Sequence, residues 1–455
     1  MNPPRKLTQD QIAAIWANRR ARISKLVSTG GNWMPVIIFA TLLMTDEARI
    51  NAWGFQIYAY RIALLFTFPF VVARMATEPP RLTIADFMIM LAGAWIFIST
   101  WMNYNIVVAS KSGLSQTLDL VAPYLVGRLL IRTPLDLRRF LYRITPLIVA
   151  TGLLLFVESA SHEYLLRPLV GSITGLSPDA ALARMYEVRN GFLRATGPFL
   201  HPIAAGLFMG TLVPLYIAAD LPKRRWFGLL GSLGGVFSMS SAAMLSMATG
   251  IALSIYGSVQ RSLRWGWAPV IAGAGIIGFF IQMLTESGLI KFIIRYASLN
   301  PQTGYYRLLI WEYGWADVGR HPWFGIGLFN AFDRPRWMIS DSVDNYWLLV
   351  ALRFGFPCMA MLLITVVFNV IILGRATLAR EPEALKGRPM AVGVVISLVI
   401  AYMLLLTSAP WNADIVWFTM LVGIAGGLAR PIVIAAPQPV ARERRPGRLP
   451  AAALG

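Results

Sequence analysis

Residues 84–102 read IADFMIMLAGAWIFISTWM, with one charge, Asp86, in nineteen positions. The length is close to the roughly 20 apolar residues that cross a bilayer core. Inside lipid every backbone N–H and C=O must be satisfied within the chain, which leaves only helices or a closed barrel. A barrel strand alternates with a period of two. This run is continuous, so it predicts a helix. Comparable runs lie near 33–44, 56–75, 114–132, 141–159, 200–219, 226–240, 243–260, 267–286, 343–374, 390–408 and 412–430. The expected fold class is an all-α polytopic membrane protein of about 12 transmembrane helices with two large periplasmic loops. The run at 343–374 is too long for one crossing and contains Gly355 and Pro357. A broken helix, or an interfacial piece followed by a crossing, fits it better.

Composition agrees. Of 455 residues, 56% are hydrophobic and 14% charged, against about 25% charged in a soluble domain. The net charge is +19. No compact basic and aromatic domain stands outside the apolar runs, so nucleic acid is not an expected partner. The excess fits the positive-inside rule. Lys223-Arg224-Arg225, Arg261 with Arg264, Arg132 with Arg138 and Arg139, Arg375, Arg380, Lys386 and Arg388 all fall on one side of the alternating spans. So do the polar, basic N-terminus and the Arg442–Arg448 stretch, and that side is expected to be cytoplasmic. The expected organisation is a basic cytoplasmic tail over 1–32, a transmembrane domain over 33–431, and a disordered cytoplasmic tail over 432–455. The N-terminus lacks a cleavable signal pattern. The lone cysteine, Cys358, lies in an apolar run, which rules out an internal disulfide and a cysteine metal site.

Two long connections, about 160–199 and about 287–342, then fall outside, and long ordered loops are usually functional. Ser177-Pro178-Asp179 has the pattern that opens a short helix. Arg307, Trp311 and Trp315 stand four apart and share a helix face, as in a helix lying at headgroup level. The small residues from Gly228 to Ala243 suit close helix packing.

Outer-face arginines run against the positive-inside trend and need a reason. Their planar forks suit phosphate, although salt bridges to loop acids would also use them. Arg194 and Arg307 are the two candidates. Inside the membrane, Arg61 and Asp119 both fall in the outer part of their spans and are expected to pair, although Arg61 could instead reach the headgroups. A base for an acceptor hydroxyl would come from His321, His201 or Asp344. Each histidine precedes a proline, which suits a turn equally well, and Asp344 could simply cap a helix. Asp341 and Asp344 are three apart, but no Asp-x-Asp pair exists and no metal is expected.

The run Arg194-Ala195-Thr196-Gly197-Pro198-Phe199-Leu200-His201-Pro202 resembles the first outer-loop signature of the O-antigen ligase/polymerase family of bacterial membrane glycosyltransferases. The series Arg307, Trp311, His321-Pro322-Trp323-Phe324-Gly325-Ile326-Gly327 and Asp344-Asn345 resembles that family's second large loop. The resemblance implies a GT-C-like helical fold in the bacterial inner membrane. It implies transfer of a glycan from an undecaprenyl-diphosphate carrier to a glycan or lipid-linked acceptor on the periplasmic side, with no cofactor. Membrane lipids, a chain-length regulator and a flippase are the partners it brings to mind. By the same resemblance Arg194 and Arg307 would bind the donor diphosphate. Asp344, supported by Asn345, stands where the family's ligases commonly carry a histidine. That departure favours a polymerase of O-antigen or exopolysaccharide repeats over a ligase that joins glycan to lipid A-core. A transporter or flippase is the alternative from another class, but neither internal repeats nor facing broken helices are evident.

Overall fold

The computed structural model describes residues 30–52, 55–260, 266–285, 288–289, 291–292, 301–338, 342–377, 382–410 and 412–434. The readings made above for residues 1–29 and 435–455, and for Arg261, Arg264, Arg380 and Asp341, lie outside them. Sixteen principal helices are described: α1 Met34–Leu42, α2 Ala59–Thr77, α3 Ile84–Asn103, α4 Leu114–Leu130, α5 Pro134–Ser161, α6 Leu166–Thr174, α7 Asp179–Met185 and α8 Pro202–Ala218. They continue as α9 Arg224–Leu233, α10 Ser241–Val259, α11 Ala268–Leu284, α12 Pro301–Arg320, α13 Tyr346–Phe354, α14 Phe356–Thr377, α15 Pro382–Leu404 and α16 Asn412–Ile434. Six are long and apolar enough to cross a membrane: α2, α3, α5, α10, α14 and, over Asn412–Ala429, α16. The helices Pro202–Ala218, Ala268–Leu284 and Arg388–Leu404 are apolar but shorter. The only strands among the described residues are two small hairpins, β1 Ile50–Ala52 with β2 Phe55–Ile57, and β3 Val188–Arg189 with β4 Phe192–Leu193.

The run quoted first is α3. Thr83 and Asp86 form a capping box at its start, with the Thr83 N–H donating to Asp86 at 2.7 Å. Thr133 and Asp136 do the same for α5. The tightest seam joins α4 to α16. A Cβ on Gly127 would lie 2.2 Å from the Met420 carbonyl oxygen, so only glycine permits that approach. At one end of the seam the buried Arg128 pairs with Asp86 at 3.0 Å and donates to the Gly426 carbonyl, while Tyr124 donates to Asp86 at 2.7 Å. An ion buried in such a bundle must be paired in this way. At the centre Phe39, Phe140 and Phe208 pack round Trp417, whose indole donates to Thr211 at 2.8 Å.

The outward faces are apolar. Phe66 is 76% exposed and Leu284 79%, and no residue of α11 is buried. Faces of this kind need a lipid or protein cover.

One segment differs from the sequence reading, and one break expected there is found. Residues 226–240 do not form one span. The helix α9 ends at Leu233 and tightens into a 3-10 turn over Gly234–Ser238, because Gly231 and Gly234 pack directly on Gly152 of α5. The small residues there do serve packing. The run 343–374 is broken at Gly355 between α13 and α14.

The connections gather at two ends. At one end Glu47 meets Arg167, Asp46 meets Asn412, Asn103 donates to the Phe324 carbonyl, and Asn345 donates to the Leu406 carbonyl. At the other, Arg132 meets Glu78 and Arg128 donates to the Arg81 carbonyl. Both long connections, 160–199 and the described part of 287–342, lie at the first end.

Candidate functional site

The first long connection is organised by Glu158, a fully buried carboxylate near the end of α5. One oxygen accepts the Leu165 and Leu166 N–H groups at 3.1 and 3.4 Å. The other accepts Thr196 and Gly197 at 3.2 and 2.8 Å. Four backbone donors satisfy the buried charge and fix the course of residues 194–198. The β3–β4 hairpin turns through Asn190 and Gly191, both at positive φ, as a two-residue hairpin loop requires. Arg194 follows it. Its N–H donates to the Glu187 carbonyl, and its Nη1 meets the Glu187 carboxylate at 2.8 Å. Arg189 shares that carboxylate at 2.6 Å. Burial, and then Arg189, work against the charge on Arg194, while Glu187 supports it. The Arg194 Nε is buried without a hydrogen-bond partner. Arg167 clamps the same connection through Glu47 at 2.6 Å and the Leu200 carbonyl at 3.2 Å. His201 caps α8, its Nδ1 accepting the Ile203 N–H at 3.1 Å. One face of the ring is therefore committed to structure.

The second connection supplies α12. Trp311 and Trp315 stack on one face of it at 5.4 Å. Arg307 is 7% exposed and stands 3.8 Å from the Asp344 carboxylate. Its Nε and Nη1 have no hydrogen-bond partner. Burial works against the charge on Arg307 and Asp344 supports it. Asn345 rather than Asp344 caps α13, accepting the Leu348 N–H at 3.0 Å while its amide donates to Leu406. The Asp344 side chain is one-third exposed and is free of capping duty.

His321 lies elsewhere. It sits just beyond the far end of α12, about 20 Å from Arg307 along the axis at 1.5 Å per residue. It is exposed and stands 3.4 Å from Asp317. The residues that follow it form a clasp: Phe356 donates to the Pro322 carbonyl, Ile326 donates to Leu352, and Trp95 of α3 donates to Phe354. Gly325 and Gly355, both at positive φ, let the two backbones meet. A Cβ on Gly355 would fall 1.9 Å from the Trp323 carbonyl oxygen.

Beside Asp344 lies a cavity of about 510 Å³, with Ser342 and Val343 in its wall. Asp119, Gln116, Asn330, Arg353 and Asn412 also line it. A second cavity of about 450 Å³ adds Arg61, Lys111, Ser112 and Tyr58 and shares Gln116, Phe329, Arg353 and Asn412 with the first. Together they form one polar groove. Arg61 and Asp119 are paired at 2.6 Å on its wall, with the Tyr60 hydroxyl also donating to Asp119.

The structure therefore groups Arg307, Asp344 and Asn345, and it groups Arg61 with Asp119. Arg194 and His201 belong to a separate cluster, and His321 to the clasp. Among the described residues no three histidine, cysteine or acidic side chains gather as a metal site. Sequence reading missed Arg353 and Glu158. Arg353 had a signal, an ionisable side chain inside a long apolar run.

Residues 226–363 match the family model described as O-Antigen ligase. Over this segment, under a third of its length, the chain is similar to the O-antigen ligase family. The matched stretch carries Arg307, His321, Asp344, Asn345 and Arg353, while Arg61, Asp119, Arg194 and His201 lie before it. A search of curated proteins finds no match. The O-antigen ligase family is a group of membrane glycosyltransferase-like proteins acting in polysaccharide assembly.

Proposed function

We propose that the protein is a polysaccharide polymerase that moves a glycan from an undecaprenyl-diphosphate carrier to a growing chain at the periplasmic face of the inner membrane. The observation that carries this reading is Arg307, a buried guanidinium with two unpartnered N–H donors, set beside Asp344 at the edge of the polar groove. Asp344 stands 3.8 Å from the Nε without a hydrogen bond to it, so Nε and Nη1 can both still take oxygens from a diphosphate. Arg194, whose Nε is also unpartnered, is assigned to the same diphosphate from the first connection. This requires the two clusters to converge when donor binds.

In the reaction the acceptor hydroxyl attacks the anomeric carbon. The carbon–oxygen bond to the diphosphate breaks, a new glycosidic bond forms, and the hydroxyl proton passes to Asp344. The electron pair leaves on the lipid diphosphate, where Arg307 and Arg194 stabilise the added charge. The Arg61–Asp119 pair stiffens the groove wall. The basic loops at the far end support a cytoplasmic placement of that end and a periplasmic placement of the site.

A ligase reading rests on the description of the matched family. The product decides between them. Loss of the protein from cells leaves single repeats on the carrier if it is a polymerase, and full-length polymer there if it is a ligase. Purified protein given a lipid-diphosphate repeat should yield a ladder of products, and Arg307→Ala should abolish it at normal protein level. A full ladder from that variant overturns the assignment.

A further inference from the structure

The groove holds more positive charge than its own acids balance. Arg61 is matched by Asp119. Arg353 lines both cavities, and also the narrower one beneath them beside Tyr346 and Leu362. Among the described residues Arg353 has no hydrogen bond and no ion pair. It lies in the last turn of α13, where the helix carbonyls favour a cation only weakly. A largely enclosed guanidinium that its own fold leaves unpaired is suited to an anion from the occupant. The remaining uncharged polar lining is amides and serine hydroxyls, set among apolar side chains such as Leu328, Leu349, Leu352 and Phe332. Gln116, Asn330 and Asn412 offer paired donors and acceptors, and Tyr58 and Phe329 offer flat apolar faces. Such a surface suits hydroxyl-rich rings. Each cavity falls within the range of about 300–1,000 Å³ usual for small-molecule sites.

We propose that this groove is a glycan subsite selective for a sugar unit bearing a negative charge, a uronate or a sugar with an acidic substituent, and that Arg353 is the residue that binds the charge. The inference rests on the polymerase reading only in making the occupant the lipid-linked or growing glycan. Arg353 belongs to specificity, and the diphosphate stays with Arg307.

The test uses the full chain in nanodiscs. A galacturonic acid oligosaccharide, its methyl ester and inorganic pyrophosphate serve as probes in direct binding measurements. The wild type should prefer the free acid over the ester by about tenfold or more, the value of one charge-assisted hydrogen bond. Arg353→Gln should erase the preference, Arg353→Lys should retain part of it, and Arg307→Ala should keep it whole. Equal binding of acid and ester by the wild type overturns the proposal, as does a preference that survives in Arg353→Gln. Loss of pyrophosphate binding in Arg353→Gln with the acid preference intact would hand Arg353 to the diphosphate and also overturn it. Polymerisation by Arg307→Ala would sink the polymerase mechanism while leaving the acid preference standing, so the two failures are distinct.

Discussion

Arg307, loosely paired with Asp344, and Arg353, unpaired among the described residues, answer to different measurements. On the proposed mechanism, removing Arg307 takes away a donor to charge that grows in the transition state, for which a loss of about 10²–10³ in rate is expected. Glu158 is a structural counterpart. It accepts four backbone N–H groups while fully buried. Each hydrogen bond to a charged group is worth about 1.5–3 kcal/mol. Glu158→Gln should therefore lower the thermal midpoint clearly and expose 194–198 to proteolysis. The pair Arg61–Asp119 invites a cycle. Either single neutral change should cost about 3–5 kcal/mol by leaving one buried charge alone, and Arg61→Gln with Asp119→Asn together should cost less than the sum. Equal and additive losses in the melts would show that the two do not act as a pair. Glu187 gives a pH signature. Burial works to raise its carboxyl, and the hydrogen bonds from Arg189 and Arg194 outweigh that and hold it below the usual carboxylate range. Its contribution is therefore complete above the unfolded value of about 4.3 and is lost as pH falls through the folded one. Heat stability should drop more between about pH 5 and 3 in the wild type than in Glu187→Gln.

At the scale of elements, the clasp between residues 322–326 and the α13–α14 break holds the floor of the groove. Gly355→Ala should reduce folded yield sharply, because the Trp323 carbonyl must move. Asn345→Ala should cost about 0.5–2 kcal/mol as a lost cap, with a further loss from its link to Leu406. These elements differ in how plainly the sequence announces them. The helix α3 is legible because an uninterrupted apolar run has one solution in lipid. The break at Gly355 is legible from the excess length of its run. The end of α9 is not, because its cause is backbone contact with Gly152, which no local pattern records. Glu158 is equally hidden, since its partners are N–H groups of residues that look unremarkable in sequence. The pairing of Asp344 with Arg307 needs two segments 37 positions apart to meet, and spacing alone does not bring them together.

Across the whole molecule, the contacts that sort connections to two ends make the orientation directly testable. A phosphatase active only in the periplasm should work when fused after residue 185 and fail when fused after 136. The reverse result would move the groove to the cytosol and remove the basis of the mechanism. Shape matters here as well as side. The arginines that the proposed mechanism assigns to one diphosphate sit in separate clusters, so that mechanism requires the bundle to close on its donor. Cys358, the only thiol, is enclosed within α14. Spin probes attached at residues 189 and 305 would therefore report without interference from a native thiol, and the separation between them, followed in native membranes as carrier lipid is added, would measure that closure as it happens.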